Sequence, residues 1–340
     1  MTCTERVLHY IREIPQEASD KSAIPPPKEW PSSGRIELRD LSMRYRPETP
    51  LVLKGISVNI AGGQRVGIVG RTGSGKSSLL TSILRLVEAE VSPKYGGAGS
   101  ILIDGVDISK IGLGELRRQC AIIPQNPACF SGTIRSNLDP FDGNARSGAS
   151  NPARFDQPST VDRLRHSGIR PLERATEFSD EQVWSALERC ELRVAVEQMV
   201  EDGASDQKAA LASQVAEYGE NLSLGQRQLL CLARAVLRQA KILILDEATS
   251  AVDYATDAKI QSMIRTVFAE CTILVIAHRI NTVIDSDVIL VLGDGECLEA
   301  GAPNVLLENP GSAFKRIVDE SGDRTPAPSP QVARRGVPGK

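Results

Sequence analysis

No run of apolar residues in this 340-residue chain approaches the ~18 needed to cross a bilayer as a helix. The longest, such as Val288 to Leu292, are about five residues, and the N-terminus has no apolar signal region. Nothing in the chain is therefore expected to span a membrane. An excess of one charge is also missing. Forty Lys and Arg stand against forty-three Asp and Glu, a net charge of -3, so no global field draws the protein to nucleic acid or to an anionic surface. Any phosphate must be caught locally. The seven cysteines are odd in number and contain no CxxC pair, which speaks against a thiolate metal site and suits reduced thiols better than disulfides. No internal repeat and no heptad pattern is present, which removes solenoids and coiled coils. What remains has globular proportions: 41% hydrophobic and 24% charged residues can bury a sizeable core, and the length fits one large α/β domain with flexible ends.

Residues 1–34 begin with a helical stretch, Glu5 to Ile11, and pass into a Pro/Ser-rich segment with Pro25, Pro26, Pro27 and Pro31, read as a linker. From Arg35 the alternation of Ile36 with Leu38, and of Ile56, Val58 and Ile60, predicts strands. Arg65 to Val69 runs into a Gly-rich turn, and helical periodicity follows from Lys76 to Leu86. Ala121–Ile123, Ile242–Leu245, Ile273–Ala277 and Val288–Leu292 are short, β-branched-rich and separated by helical stretches, the pattern of buried strands in a mostly parallel sheet. Residues 142–178 are rich in Arg, Ser, Gly, Pro and Asn and are expected to form a solvated, disordered insert, with a regulatory insert carrying Ser or Thr phosphorylation sites as the other reading. The tail 321–340 lacks apolar periodicity and is also read as disordered.

Two motifs carry chemistry. Gly70-Arg-Thr-Gly-Ser-Gly-Lys76-Ser77 fits G-x-x-x-x-G-K-[ST] and sits between a predicted strand and a predicted helix. Glycines let the backbone curl so that several N–H groups point at phosphates, and the helix start adds its positive dipole end. Gly70, Thr72, Gly73, Ser74, Gly75, Lys76, Ser77 and Ser78 are expected to bind nucleotide, with Lys76 on the β/γ-phosphates and Ser77 on Mg2+. The second motif is the strand Ile242–Leu245 followed by Asp246-Glu247, two carboxylates where ligands of open α/β sheets bind. Asp246 suits Mg2+ and Glu247 suits a general base that polarises water; a helix N-cap is the plain alternative for such a pair.

A third segment narrows the class. Leu222-Ser223-Leu224-Gly225-Gln226 precedes the apolar-periodic stretch Leu229 to Leu237, and Ser223 with Gln226 reads as a capping box. Standing shortly before the Asp246-Glu247 strand, it resembles the Leu-Ser-Gly-Gly-Gln signature of the ATP-binding cassette (ABC) family, over roughly Arg35 to Glu320. The resemblance implies a P-loop NTPase of ABC type, with an N-terminal antiparallel β subdomain and a helical subdomain beside the core sheet. It implies a stacking role for Tyr45 on adenine, a Mg2+ and water contact for Gln125, and roles for Ser223, Gly225 and Gln226 at the partner's γ-phosphate. It further implies an interface role for Asp253, in Ser250-Ala-Val-Asp253, and a γ-phosphate contact for His278.

The sequence is most similar to the second cassette of the C subfamily, the multidrug-resistance-associated-protein-like transporters. Gly67-Ile-Val-Gly-Arg-Thr-Gly73, Ile123-Pro-Gln-Asn-Pro127 and Asn137-Leu-Asp-Pro-Phe141 carry that likeness, as do the presence of Glu247 and the substitution of the signature's first Gly by Leu224. What this implies is an ATP-hydrolysing cassette on the cytoplasmic face of a membrane. It would dimerise head to tail with another cassette and move transmembrane domains that this chain lacks, and the opening residues would follow the last transmembrane helix of a longer exporter. A catalytically weak regulatory module and a soluble ABC-type ATPase are the alternatives.

Overall fold

The computed structural model describes residues 5–6, 9–10, 13, 17–22, 25–90, 99–140, 178–200, 207–248, 252, 254–276 and 279–321. The expected insert 142–178 lies outside them except for Phe178, and the expected tail 321–340 except for Ser321. Of the opening helical stretch, Glu5, Arg6, His9 and Tyr10 are described and helical.

In chain order the strands are β1 (Ile36–Met43), β2 (Leu53–Ile60), β3 (Arg65–Val69), β4 (Ser100–Ile103), β5 (Val106–Asp107), β6 (Cys120–Ile123), β7 (Gly132–Thr133), β8 (Gln214–Val215), β9 (Ile242–Asp246), β10 (Thr272–Ile276), β11 (Val288–Gly293) and β12 (Glu296–Gly301). The helices are α1 (Lys76–Ile83), α2 (Leu113–Gln119), α3 (Ile134–Leu138), α4 (Asp180–Arg189), α5 (Arg193–Glu197), α6 (Gln207–Leu211), α7 (Leu224–Leu237), α8 (Tyr254–Val267), α9 (Ile280–Val283), α10 (Pro303–Glu308) and α11 (Ala313–Ser321).

Strands that are apolar at nearly every position need cover on both faces, which is why they lie side by side and parallel. They form a six-stranded sheet in the order β12-β11-β3-β10-β9-β6, parallel throughout except for the β11/β12 hairpin. The alternating strands of the N-terminal region form a second, antiparallel sheet in the order β2-β1-β4-β5. One core lies between the two sheets, where Ile36, Leu38, Leu41 and Ile56 meet Ile68, Ile83 and Ile244. The other joins the far face of the parallel sheet to the helical region through Val183, Leu187, Leu232, Leu243 and Ile264.

Helix α1 stops at Ile83, short of the expected Leu86. Leu84 is its C-cap and Arg85 turns into left-handed backbone at φ 49. The buried Arg85 guanidinium accounts for the break: it donates to the carbonyls of Ile108 (2.8 Å) and Ile111 (2.6 Å) and pairs with Glu88 (2.7 Å), contacts a continued helix would forfeit.

The approach to β1 is fastened to the domain at several points. Trp30 is buried with its indole N–H on the Ile103 carbonyl (2.8 Å), and the backbone N–H groups of Ser33, Gly34 and Arg35 donate to the Asp104 carboxylate at 2.9–3.1 Å. Further upstream, the Ser19 and Asp20 carbonyls accept from Leu113 (2.9 Å) and Gly114 (3.1 Å), and Gly112 donates to the Ser22 hydroxyl (2.7 Å). A Cβ on Gly112 would lie 2.3 Å from the Asp20 carbonyl oxygen, so only glycine admits this contact.

Candidate functional site

Strand register gathers the chemistry on one edge. Ile276 of β10 pairs with Ile68 of β3 on one side and with Asp246 of β9 on the other, while Ile123 of β6 pairs with Leu245. The chain after β3, after β9 and after β6 therefore leaves the sheet at the same carboxyl edge, bringing Gly70, Asp246, Glu247 and Gln125 together there. Glu247 turns sharply, at φ 50, with its N–H on the Ile276 carbonyl at 3.0 Å. A left-handed glutamate is uncommon, and its presence just beyond β9 marks a position where geometry overrides local preference.

The Gly-rich loop curls as its composition predicts. Gly73 and Gly75 have φ of 82 and 102, and a Cβ on Gly75 would come 2.8 Å from Leu53. A Cβ on Gly73 would meet nothing within 4 Å, so the loop is open on that side. Lys76 is buried, and its Nζ donates to the carbonyls of Gly70 (2.7 Å) and Arg71 (3.1 Å), strapping the loop from inside. Burial pushes its pKa down, against the opposing pull of Glu247 and Asp246. Helix α1 begins directly after Gly75 with no side chain capping it, which leaves its first N–H groups available to an anion. The Ser74 hydroxyl is buried without a hydrogen-bond partner among the described residues, a polar atom open to one. Thr72, Gly73 and Ser77 are exposed, whereas Ser78 is buried and its Oγ lies 3.0 Å from the Tyr45 hydroxyl. An open N-terminus, a buried cation and an orphaned hydroxyl around one curl fit the phosphates of a nucleotide. Tyr45 itself is half exposed beside that curl, as a side chain offering its ring face would be.

The signature segment forms the start of α7. Ser223 and Gln226 make the expected capping box, with Ser223 N–H on Gln226 Oε1 (2.8 Å) and Gln226 N–H on Ser223 Oγ (3.2 Å). Ser223, Gly225 and Gln226 border a cleft of about 240 Å³ with Cys190, Thr256 and Lys259, and no residue of Gly70–Ser78 lines that cleft. The signature is thus a place apart from the phosphate loop. Gln125 is exposed two residues beyond β6. Asp253 and His278 lie outside the described residues.

One junction escaped the sequence reading. The Asn137 side chain is fully buried; it donates to the carbonyls of Phe130 (2.7 Å) and Thr133 (3.0 Å) and accepts from Phe130 N–H (2.9 Å) and Arg234 (2.9 Å). Arg234, on α7, also donates to the Ala128 carbonyl at 2.7 Å. The signature helix is thereby bolted to the loop that follows Gln125. Asn137 was visible in sequence as part of Asn-Leu-Asp-Pro-Phe; its amide chemistry in a buried position was not.

A parallel sheet with a curled Gly-rich loop after β3, a helix opening onto that loop and an acidic pair at the end of β9 defines a P-loop NTPase. The chain belongs to the ABC transporter family, whose sequence model matches residues 53–250. It is 44% identical over 322 residues to ATP-binding cassette sub-family C member 2 of Rattus norvegicus, a match covering 95% of this chain and 18% of the relative. It is 42% identical over 321 residues to ABC transporter C family member 3 of Arabidopsis thaliana, covering 94% of this chain and again 18% of the relative. Among solved structures, a bacterial Atm1-family ABC exporter with ATP bound superposes with a TM-score of 0.71 at 26% identity, over 94% of this chain and 47% of that one. The chain spans under one fifth of the length of these curated relatives, and its fold is that of an ABC-type nucleotide-binding cassette. No described helix is long and apolar enough to cross a membrane.

Proposed function

We propose that this chain is the second ATP-hydrolysing cassette of a C-subfamily exporter, with residues 35–320 forming the cassette. Lys76 neutralises the β/γ-phosphates while Ser74 and the open start of α1 supply N–H and O–H donors. Tyr45 stacks on adenine. Glu247 orients and deprotonates the attacking water, with Gln125 and His278 at the same terminal phosphate. Among the described residues no group of three or more His, Cys, Asp or Glu side chains converges on a metal position. A Mg2+ would be held by Ser77, Asp246 and Gln125, and would supply neutralisation of the triphosphate's charge.

Ser223, Gly225 and Gln226 serve a nucleotide held by another cassette. A helix start turned toward phosphate, in a cleft without the chain's own phosphate loop, is sensible electrostatics only if a partner brings the anion. The partner is a first cassette docked head to tail with Asp253 at the interface, and both cassettes act on transmembrane domains from the cytoplasmic face. The observation that carries the reading is the alignment of Ile68, Ile276 and Asp246, which sets the phosphate loop and Glu247 on one edge. Leu224, in place of the signature's first glycine, bears on hydrolysis in the partner's site, and a second reading is that the chain binds nucleotide chiefly to regulate. Measuring Mg-dependent ATP turnover of the chain alone and mixed with a first cassette separates them. Turnover supports the first reading; binding without turnover under both conditions supports the second.

A further inference from the structure

We propose that Glu320, near the end of α11, is a positioning residue for the phosphate loop and acts through Arg71. The inference rests on the reading that Gly70–Ser77 holds the triphosphate, and it adds the element that fixes the loop's outer turn. Arg71 is the joint of that turn. Its carbonyl accepts from Ser74 N–H at 3.1 Å and from Lys76 Nζ at 3.1 Å, so the residue that meets phosphate and the residue that closes the curl both hang on it. Its side chain reaches outward, placing Nη2 3.2 Å from each carboxylate oxygen of Glu320.

Helix α11 is anchored well enough to serve as a fixed point. Glu299, on β12, accepts from the Ser312 hydroxyl (2.7 Å), Ala313 N–H (2.8 Å) and Phe314 N–H (3.2 Å), and Phe314 is fully buried. Strand β12 pairs with β11, which pairs with β3, the strand that enters the loop. Covalent chain and noncovalent contacts therefore close a circuit: β3, Arg71, Glu320, α11, Glu299, β12, β11 and back to β3. The β11/β12 hairpin supports the inner turn as well, since Gly295 N–H donates to the Ser74 carbonyl at 3.3 Å. The loop is gripped from two sides by the last described part of the chain, and Glu320 is the outer grip.

Arg71 and Glu320 are 82% and 60% exposed, so their pairing is weak and sensitive to salt. The effect on nucleotide affinity is accordingly about two- to fivefold. The test uses the full 340-residue chain, fluorescent trinitrophenyl-ATP, and the variants E320Q, E320R, R71E and R71E/E320R. E320Q and E320R are expected to weaken binding by that factor at low salt, to lose the difference at ~0.5 M NaCl, and to leave the thermal unfolding midpoint of E320Q unmoved. The double reversal should return affinity to near wild type, which a merely structural role for either residue would not produce. Wild-type affinity in E320Q, tighter binding, or a loss that persists in high salt and in the double reversal overturns the inference. Those results leave the phosphate-loop reading standing; a wild-type chain that binds no nucleotide would remove both.

Discussion

The Tyr45 hydroxyl lies 3.0 Å from Ser78 Oγ, linking the loop after β1 to the first turn of the helix that opens on the phosphate loop. The antiparallel sheet and α1 are thus joined beside the Gly-rich loop. Tyr45→Ala should weaken ATP binding about tenfold, the worth of one base stacked on an aromatic ring, and Tyr45→Phe should stay within about threefold. Competition by inorganic triphosphate should be the same in both variants. Equal ATP affinity in Tyr45→Ala would end the stacking assignment.

Glu247→Gln keeps the shape of the side chain and removes its basicity. ATP turnover should fall by about a hundredfold or more while nucleotide affinity is retained. Undiminished turnover in this variant means that another group prepares the water.

Burial holds Lys76 below the ordinary lysine value of 10.5. The unfolded chain keeps the proton up to 10.5 and the folded chain releases it earlier, so between those two values the unfolded state binds more protons and stability rises with pH. Below the folded pKa the cost of the buried cation stands in full. Nucleotide affinity runs the opposite way, falling as pH rises through the folded pKa because the cation is lost. Affinity measured from about pH 7 upward should decline before the ordinary lysine range is reached; a flat profile to 10.5 contradicts the role given to Lys76.

Asn137→Ala deletes the four hydrogen bonds of a buried side chain and strands Phe130 N–H and part of the Arg234 guanidinium. A loss of about 2–4 kcal/mol in unfolding free energy is expected, read from denaturant midpoints at constant slope. A change within about 0.5 kcal/mol would mean water replaces the amide without penalty.

Gly225 packs against α8 so closely that a Cβ would lie 2.8 Å from Thr256 Cγ2. Gly225→Ala must displace the Thr256 side chain or the start of α7, and should reduce turnover of a mixed pair of cassettes severalfold more than nucleotide affinity of the chain alone. Gly225→Ala combined with Thr256→Ser relieves the clash and should recover part of that loss.

Strand positions were legible because apolar runs of three to five residues rich in β-branched side chains have few other homes: Ile242–Leu245, Val288–Leu292 and Ala121–Ile123 all became strands within a residue of the expected limits. The capping box at Ser223 was legible because it is local, using atoms three residues apart. Local reasoning failed where a distant partner decides. The end of α1 depends on carbonyls of Ile108 and Ile111, and no helix propensity near Arg85 announces them. The Pro-rich approach read as a linker because its composition favours extended chain, yet Trp30 and Asp104 tie it down across seventy residues. The hold of Glu320 on Arg71 joins positions 249 residues apart and left no trace in either neighbourhood.

Helix α2 passes into β6 with no intervening residue, and Gln125 stands two places beyond that strand. The backbone at Asp20 is seated on the first turn of the same helix at a spot with no room for a Cβ. A pull on residues 17–20 would thus be passed through α2 and β6 toward Gln125.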